Sequence, residues 1–285
     1  MTDERRARVL LTPAQVQSMI EGGHGPDILA VQSVNPYTGR ISERGRRVPG
    51  AVDAEAYSDF CGPPSLAGGQ RPLPDIATLQ ANARRWGLRR DRTVVVYDDD
   101  RNMTAARAWW VLRWAGLPDV RVLDGGLPAW LAAGMPVAHA PGRPAPSMIE
   151  LSPGHMPELD AGACATLARN GVLLDARIRP NYIGGRSAPG QPARGHIPGA
   201  RSVPAHDNFT DPGPITDNET LAALYRGLGA DGSTAVGVYC GAGMSAAVTV
   251  LALAAIGIEA AMYVGSWSAW VGDPGRPVAT GAHPG

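Results

Sequence analysis

The sequence predicts an α/β protein made of two tandem copies of one unit, each a parallel sheet with helices on both faces. Three observations predict it. Short apolar stretches alternate with helical ones along the chain. Four landmarks occur twice in the same order. The 285 residues are 44% hydrophobic and 18% charged, a composition that folds and supplies two domains of ordinary size.

The apolar stretches Val94–Tyr97, Val120–Leu123, Val172–Leu174, Val236–Tyr239 and Ala260–Val264 read as strands. They are near-continuous rather than alternating, so both sheet faces are buried. Helical segments run over Pro74–Trp86, Thr104–Ala115, Asn218–Gly227 and Ser245–Ile256. Strands separated by helices make a parallel sheet with crossover connections.

The repeats are specific. "I-L-A-V-Q" at Ile28 parallels "L-L-D-A-R" at Leu173, and "R-V-P-G-A" at Arg47 parallels "H-I-P-G-A" at His196. "V-V-V-Y-D" at Val94 parallels "V-G-V-Y-C" at Val236, and "L-D-G-G-L-P-A-W" at Leu123 parallels "Y-V-G-S-W-S-A-W" at Tyr263. Offsets of 145, 149, 142 and 140 residues mean an internal duplication with small insertions. Between the copies, Gly134–Ser147 holds four prolines and suits an extended linker. The expected division is 1–141, a linker at 142–149, and 150–285.

Composition excludes several functions. Net charge is zero, which argues against broad electrostatic binding of nucleic acid. Arg5, Arg6 and Arg8 read as a solvated tail. Cys61, Cys164 and Cys240 lack the spacing of a disulfide framework or a zinc site, and no other pattern suggests a metal or a cofactor. The N-terminus has no long apolar core, and the apolar run Ala246–Ile256 is shorter than the ~20 residues needed to span a bilayer. The expectation is a reducing, cytoplasmic setting with no membrane partner.

The chemistry points to Cys240. In parallel sheets ligands collect at the carboxyl ends of strands, where both Asp98 and Cys240 stand. Only Cys240 is followed by Gly241, Ala242, Gly243, Met244 and Ser245, a loop that permits positive φ and crowds amides toward one point before a helix begins. Those amides and the helix N-terminus stabilise a thiolate, which is the nucleophile. Cys61 sits in a polar, Pro-rich loop and Cys164 on a helix, so Cys240 is the expected nucleophile.

The strand–Cys–loop–helix, the preceding "G-H-I-P-G-A", the "L-D-A-R" and the tandem duplication resemble the rhodanese family of sulfurtransferases over roughly Leu10–Val278. The resemblance implies a C-terminal catalytic domain. It also implies an N-terminal domain whose Asp98 stands where the cysteine would be, a retired site that now walls the working one. It implies transfer of a sulfane sulfur from a small anionic donor to a thiol, protein-thiol or cyanide acceptor, with no cofactor. Thiosulfate-type members usually read Cys-Arg-Lys-Gly-Val-Thr and mercaptopyruvate-type members Cys-Gly-Ser-Gly-Val-Thr. The loop here is similar to the second by its glycines, with Ala242 in place of serine and Ser245 in place of threonine. Positive charge for the donor must come from outside the loop. Arg186 and Arg71 are the expected binding residues, with Arg179 next. Asp175 and Arg177 are expected to pair beneath the loop, His196 to anchor a turn, and the tryptophans to pack. A cysteine phosphatase is disfavoured because Ala246 and Ala247 occupy the positions of its phosphate-clamping arginine. A non-catalytic persulfide carrier or regulatory sulfur-binding module is the alternative.

Overall fold

The computed structural model describes residues 2–23, 25–35, 38–185, 194–211 and 213–285. The first unit contains α1 (Thr2–Ala7), β1 (Leu10–Leu11), α2 (Pro13–Glu21), β2 (Asp27–Gln32), β3 (Val52–Glu55), α3 (Ala56–Asp59) and α4 (Ile76–Arg85). It continues with β4 (Val94–Tyr97), α5 (Met103–Trp114), β5 (Val120–Leu123) and α6 (Gly126–Ala132). The second contains α7 (Ala161–Asn170), β6 (Val172–Asp175), α8 (Arg179–Ile183), β7 (Arg201–Ser202), a 3-10 turn at Ala205–Asn208 and α9 (Asn218–Gly227). It ends with β8 (Val236–Tyr239), α10 (Ser245–Ala255), β9 (Ala260–Met262) and α11 (Ser266–Trp270).

Both sheets are parallel. Their orders are β1-β5-β4-β2-β3 and β7-β6-β8-β9. Matched by the sequence repeats, β3-β2-β4-β5 and β7-β6-β8-β9 are the same arrangement. The first sheet adds β1 at its edge, where the second has only a bridge from Glu158 to Met262.

Period-2 alternation explains why helices cover both faces. In the first sheet Leu29, Val31, Val94 and Val96 face α4 and α5, while Ile28, Ala30, Val95 and Tyr97 face α2 and α6. In the second, Val172, Leu174, Val236 and Val238 face α9 and α10, while Leu173 and Tyr239 face α7 and α11. The inner faces merge into one core, because α5 packs on α10 across the unit boundary. Each fully buried valine or leucine there contributes about 1.5–3 kcal/mol.

Three expectations need correction. The last strand ends at Met262, not Val264, because Tyr263 and Val264 turn into α11. The helix expected from Pro74 begins at Ile76, since the Asp75 carboxylate caps it by accepting from the Thr78 N–H at 2.9 Å. Arg6 is not part of a solvated tail. It lies on α1 and reaches the second unit, donating to the Thr216 carbonyl (2.8 Å) and the Ile215 carbonyl (2.6 Å) while pairing with Asp124 at 2.8 Å.

The Pro-rich stretch lies along the first unit. Ser147 N–H donates to the Arg84 carbonyl and His155 N–H to that of Trp114. Contact passes to the second unit at Pro157–Leu159, which exchanges hydrogen bonds with Met262.

Candidate active site

Strand β8 delivers Cys240 to the floor of a cleft of about 460 Å³ between the two units. The second unit contributes the loop residues Gly241, Ala242, Met244 and Ser245. The first contributes Tyr57 and Arg71. Cys240 is nearly fully buried, with its Sγ accepting the Gly243 N–H at 3.0 Å. Gly243 has φ +78, and a Cβ there would sit 2.7 Å from the Val264 carbonyl oxygen. Only glycine fits both constraints, so the loop closes tightly enough to aim this amide at sulfur.

Ser266, which sequence reasoning missed, approaches Cys240 from behind. Its Oγ accepts the Cys240 N–H at 3.2 Å, donates to the Tyr263 carbonyl at 2.8 Å and lies 3.9 Å from Sγ. Its φ is +53, a left-handed value. The matching residue in the first unit is Gly126, at φ +60. A serine held where the other copy uses glycine is strained by about 1–3 kcal/mol, a cost that marks a placed hydroxyl.

The first unit shows what this architecture does with an anion. The Asp98 carboxylate accepts the N–H groups of Asp100, Asn102, Thr104 and Ala105 at 2.8–2.9 Å, and the Thr104 hydroxyl at 3.0 Å. Burial pushes this carboxyl up, and the amides pull against that shift. Asp98 therefore fills its own amide cradle and has no free valence for chemistry.

The expected site residues fall as follows. Arg71 lines the cleft, its guanidinium 4.3 Å from the centre of the Tyr57 ring, with no carboxylate in ion-pair range among the described residues. Arg177 pairs with the fully buried Asp175 and lies 4.2 Å over Trp267, so its charge at the cleft wall is already compensated. Arg186 lies outside the described residues. Arg179 is exposed on α8 and does not line the cleft. His196 is fully buried, stacked on Tyr182 at 3.8 Å, and bonded to the carbonyls of Tyr182 and Pro284, which fits a turn anchor. Trp109, Trp110, Trp114, Trp267 and Trp270 are buried.

Cys61 corrects the polar-loop expectation, since it is buried after α3. Burial pushes its thiol up, against the pull of Arg107 and Arg71. Cys164 is fully buried on α7, and burial pushes its thiol far up as well. Burial thus disfavours the thiolate form at both positions.

The model of the rhodanese-like domain matches this chain twice, over residues 12–133 and 161–273. The chain belongs to the rhodanese-like family. Its rhodanese-like relatives include the Mycobacterium tuberculosis protein named "Putative thiosulfate sulfurtransferase SseB", 41% identical, covering 98% of this chain and 99% of that one. A Pseudomonas aeruginosa protein named "Probable 3-mercaptopyruvate sulfurtransferase" is 38% identical, covering 95% and 98%. The crystal structure of SseA from Escherichia coli, described as a 3-mercaptopyruvate sulfotransferase, shares the fold at a TM-score of 0.76 and 24% identity, over 91% of this chain and 98% of that one. This rhodanese-like chain is a sulfurtransferase. No helix among its described residues is long and apolar enough to cross a membrane.

Proposed function

We propose that Cys240 carries the sulfur as a persulfide and that the preferred donor is a small carboxylate such as 3-mercaptopyruvate rather than thiosulfate. The observation that carries this reading is the cleft itself. Sγ lies at its floor under the Gly243 amide, the loop bears no cationic side chain, and among the described residues Arg71 of the other unit lines the cleft with no carboxylate in ion-pair range, with Asp100 also on the lining. One guanidinium suits a single carboxylate better than a compact dianion.

In the first half-reaction the Cys240 thiolate attacks the donor sulfur. With mercaptopyruvate the S–C bond breaks, its electron pair leaves on carbon as an enolate, and protonation yields pyruvate. With thiosulfate the S–S bond breaks and sulfite leaves. Cys240 then bears an outer sulfur that carries the negative charge. A thiol, a protein thiol or cyanide attacks that sulfur, and Cys240 leaves as thiolate. The Asp98 carboxylate places its oxygens two bonds beyond Cβ, as a persulfide places its outer sulfur, so its four amide contacts offer a pattern for how the second loop would stabilise that sulfur. A reducing, cytoplasmic setting belongs to this reading, supported by three free thiols.

The test compares turnover of the two donors in wild type and Arg71→Ala. We expect kcat/KM for 3-mercaptopyruvate to exceed that for thiosulfate by about tenfold or more. Arg71→Ala should raise KM for it roughly 10- to 150-fold, the worth of one charge-assisted hydrogen bond. Equal or better turnover of thiosulfate overturns the donor assignment. A single stoichiometric loading with no turnover makes the chain a carrier instead.

A further inference from the structure

Arg107 lies on α5 of the first unit and is fully buried. Its Nε donates to the Phe60 carbonyl at 3.3 Å, and its Nη2 to the carbonyls of Arg71 (3.2 Å) and Pro72 (3.1 Å). Its Nη1 crosses the unit boundary to the Gly243 carbonyl at 3.4 Å. That is the residue whose N–H meets the Cys240 sulfur at 3.0 Å.

Carbonyls satisfy the guanidinium's N–H groups but do not cancel its charge. Among the described residues Arg107 has no carboxylate in ion-pair range. The repeat sharpens the point. The first unit has Asp124 after β5, paired with Arg6, whereas the matching position after β9 is Val264, packed behind Gly243. Burial pushes the Arg107 pKa down; negative charge on Cys61 or Cys240 opposes that shift, and the neighbouring Arg71 adds to it. Burial disfavours the Cys61 anion. What remains is the negative charge that sulfur transfer places on Cys240, first as thiolate and then as persulfide. The loop supplies no cation of its own to meet it.

We propose that Arg107, donated by the unit that lost its thiol, is the buried positioning cation of the sulfur-transfer site. It holds the carbonyl side of Gly243, the peptide next after the one whose N–H faces Sγ, and so restrains the residue that aims that amide, and its charge favours the anionic states of Cys240. The inference rests on Cys240 as the sulfur carrier. It gives the retired unit an electrostatic task distinct from the donor contact of Arg71.

The test uses the full chain with Arg107→Met, Arg107→Lys and Arg107→Gln. The alkylation rate of Cys240 by neutral iodoacetamide at pH 7 is read by peptide mass spectrometry, beside kcat, KM and Tm. A buried charge separated from the sulfur by one residue changes such a rate by about tenfold. Arg107→Met should therefore slow alkylation and lower kcat by at least about tenfold, with KM altered less than about threefold. Arg107→Lys should restore both to within about threefold of wild type. Unchanged alkylation in folded Arg107→Met, or equal loss in the Met and Lys variants, overturns the proposal. Should the Met variant fail to fold, the comparison is read between Lys and Gln, which differ in charge. Cys240→Ser keeps the two ideas apart: normal turnover in that variant sinks the persulfide reading itself, whatever Arg107 does.

Discussion

Gly243 is where residue chemistry and backbone geometry meet. Its positive φ, the carbonyl of Val264 behind it and the sulfur ahead of it leave no room for a side chain. Gly243→Ala should lower kcat/KM by about 10- to 100-fold, the equivalent of about 1–3 kcal/mol of local strain, while the circular dichroism spectrum stays native. Steady-state kinetics at fixed donor checks this; an unchanged kcat/KM would mean that the loop tolerates a shifted amide. Cys240 itself was legible in the sequence, because a thiol at a strand end before two glycines and a helix has few other uses. Arg107 was not. It stands in "T-A-A-R-A-W-W-V-L", a stretch that reads as core, and its partner Gly243 is 136 positions away. The available signal was a charged residue inside an otherwise wholly apolar helix face. Ser266 escaped for a similar reason, since only the coordinates reveal a left-handed serine.

Elements with near-continuous apolar strands were readable within a residue or two, since burial on both faces leaves no polar alternation to confuse them. The edge pieces β1 and β7, each two residues long, and the short α3, α8 and α11 had too little pattern to be seen. Helix α9 was readable to its ends because Asp217 precedes it. The Asp217 carboxylate accepts the Thr220 N–H at 2.9 Å, and that bond holds its carboxyl below the usual range. A folded value below the unfolded one means stability that is present at neutral pH and lost as pH falls through the folded value. Asp217→Ala should lower Tm at pH 7 by about 2 °C, and the gap to wild type should close near pH 2. Thermal unfolding at both pH values checks it. A gap that persists undiminished in acid would assign the loss to something other than the charged cap.

At the scale of the whole molecule, the two repeated units differ where it matters, with Asp98 in the first at the position of Cys240 in the second. The second unit supplies the nucleophile and its amides. The first supplies Arg71 at the cleft and Arg107 behind the loop, and its Arg6 and Asp124 hold the second unit through hydrogen bonds to Thr216 and Ile215. The order of the halves was visible in the repeats. Their docking was not, because α5 and α10 are mostly apolar and so announce burial without naming a partner. The central claim is that Cys240 carries the transferred sulfur. The most direct test incubates the full chain with 3-mercaptopyruvate in the absence of acceptor, digests it without reductant and maps the added sulfur by mass spectrometry. The account predicts one extra sulfur on the Cys240 peptide and none anywhere in Cys240→Ser. Sulfur on Cys61 or Cys164, with Cys240 unmodified, would contradict it.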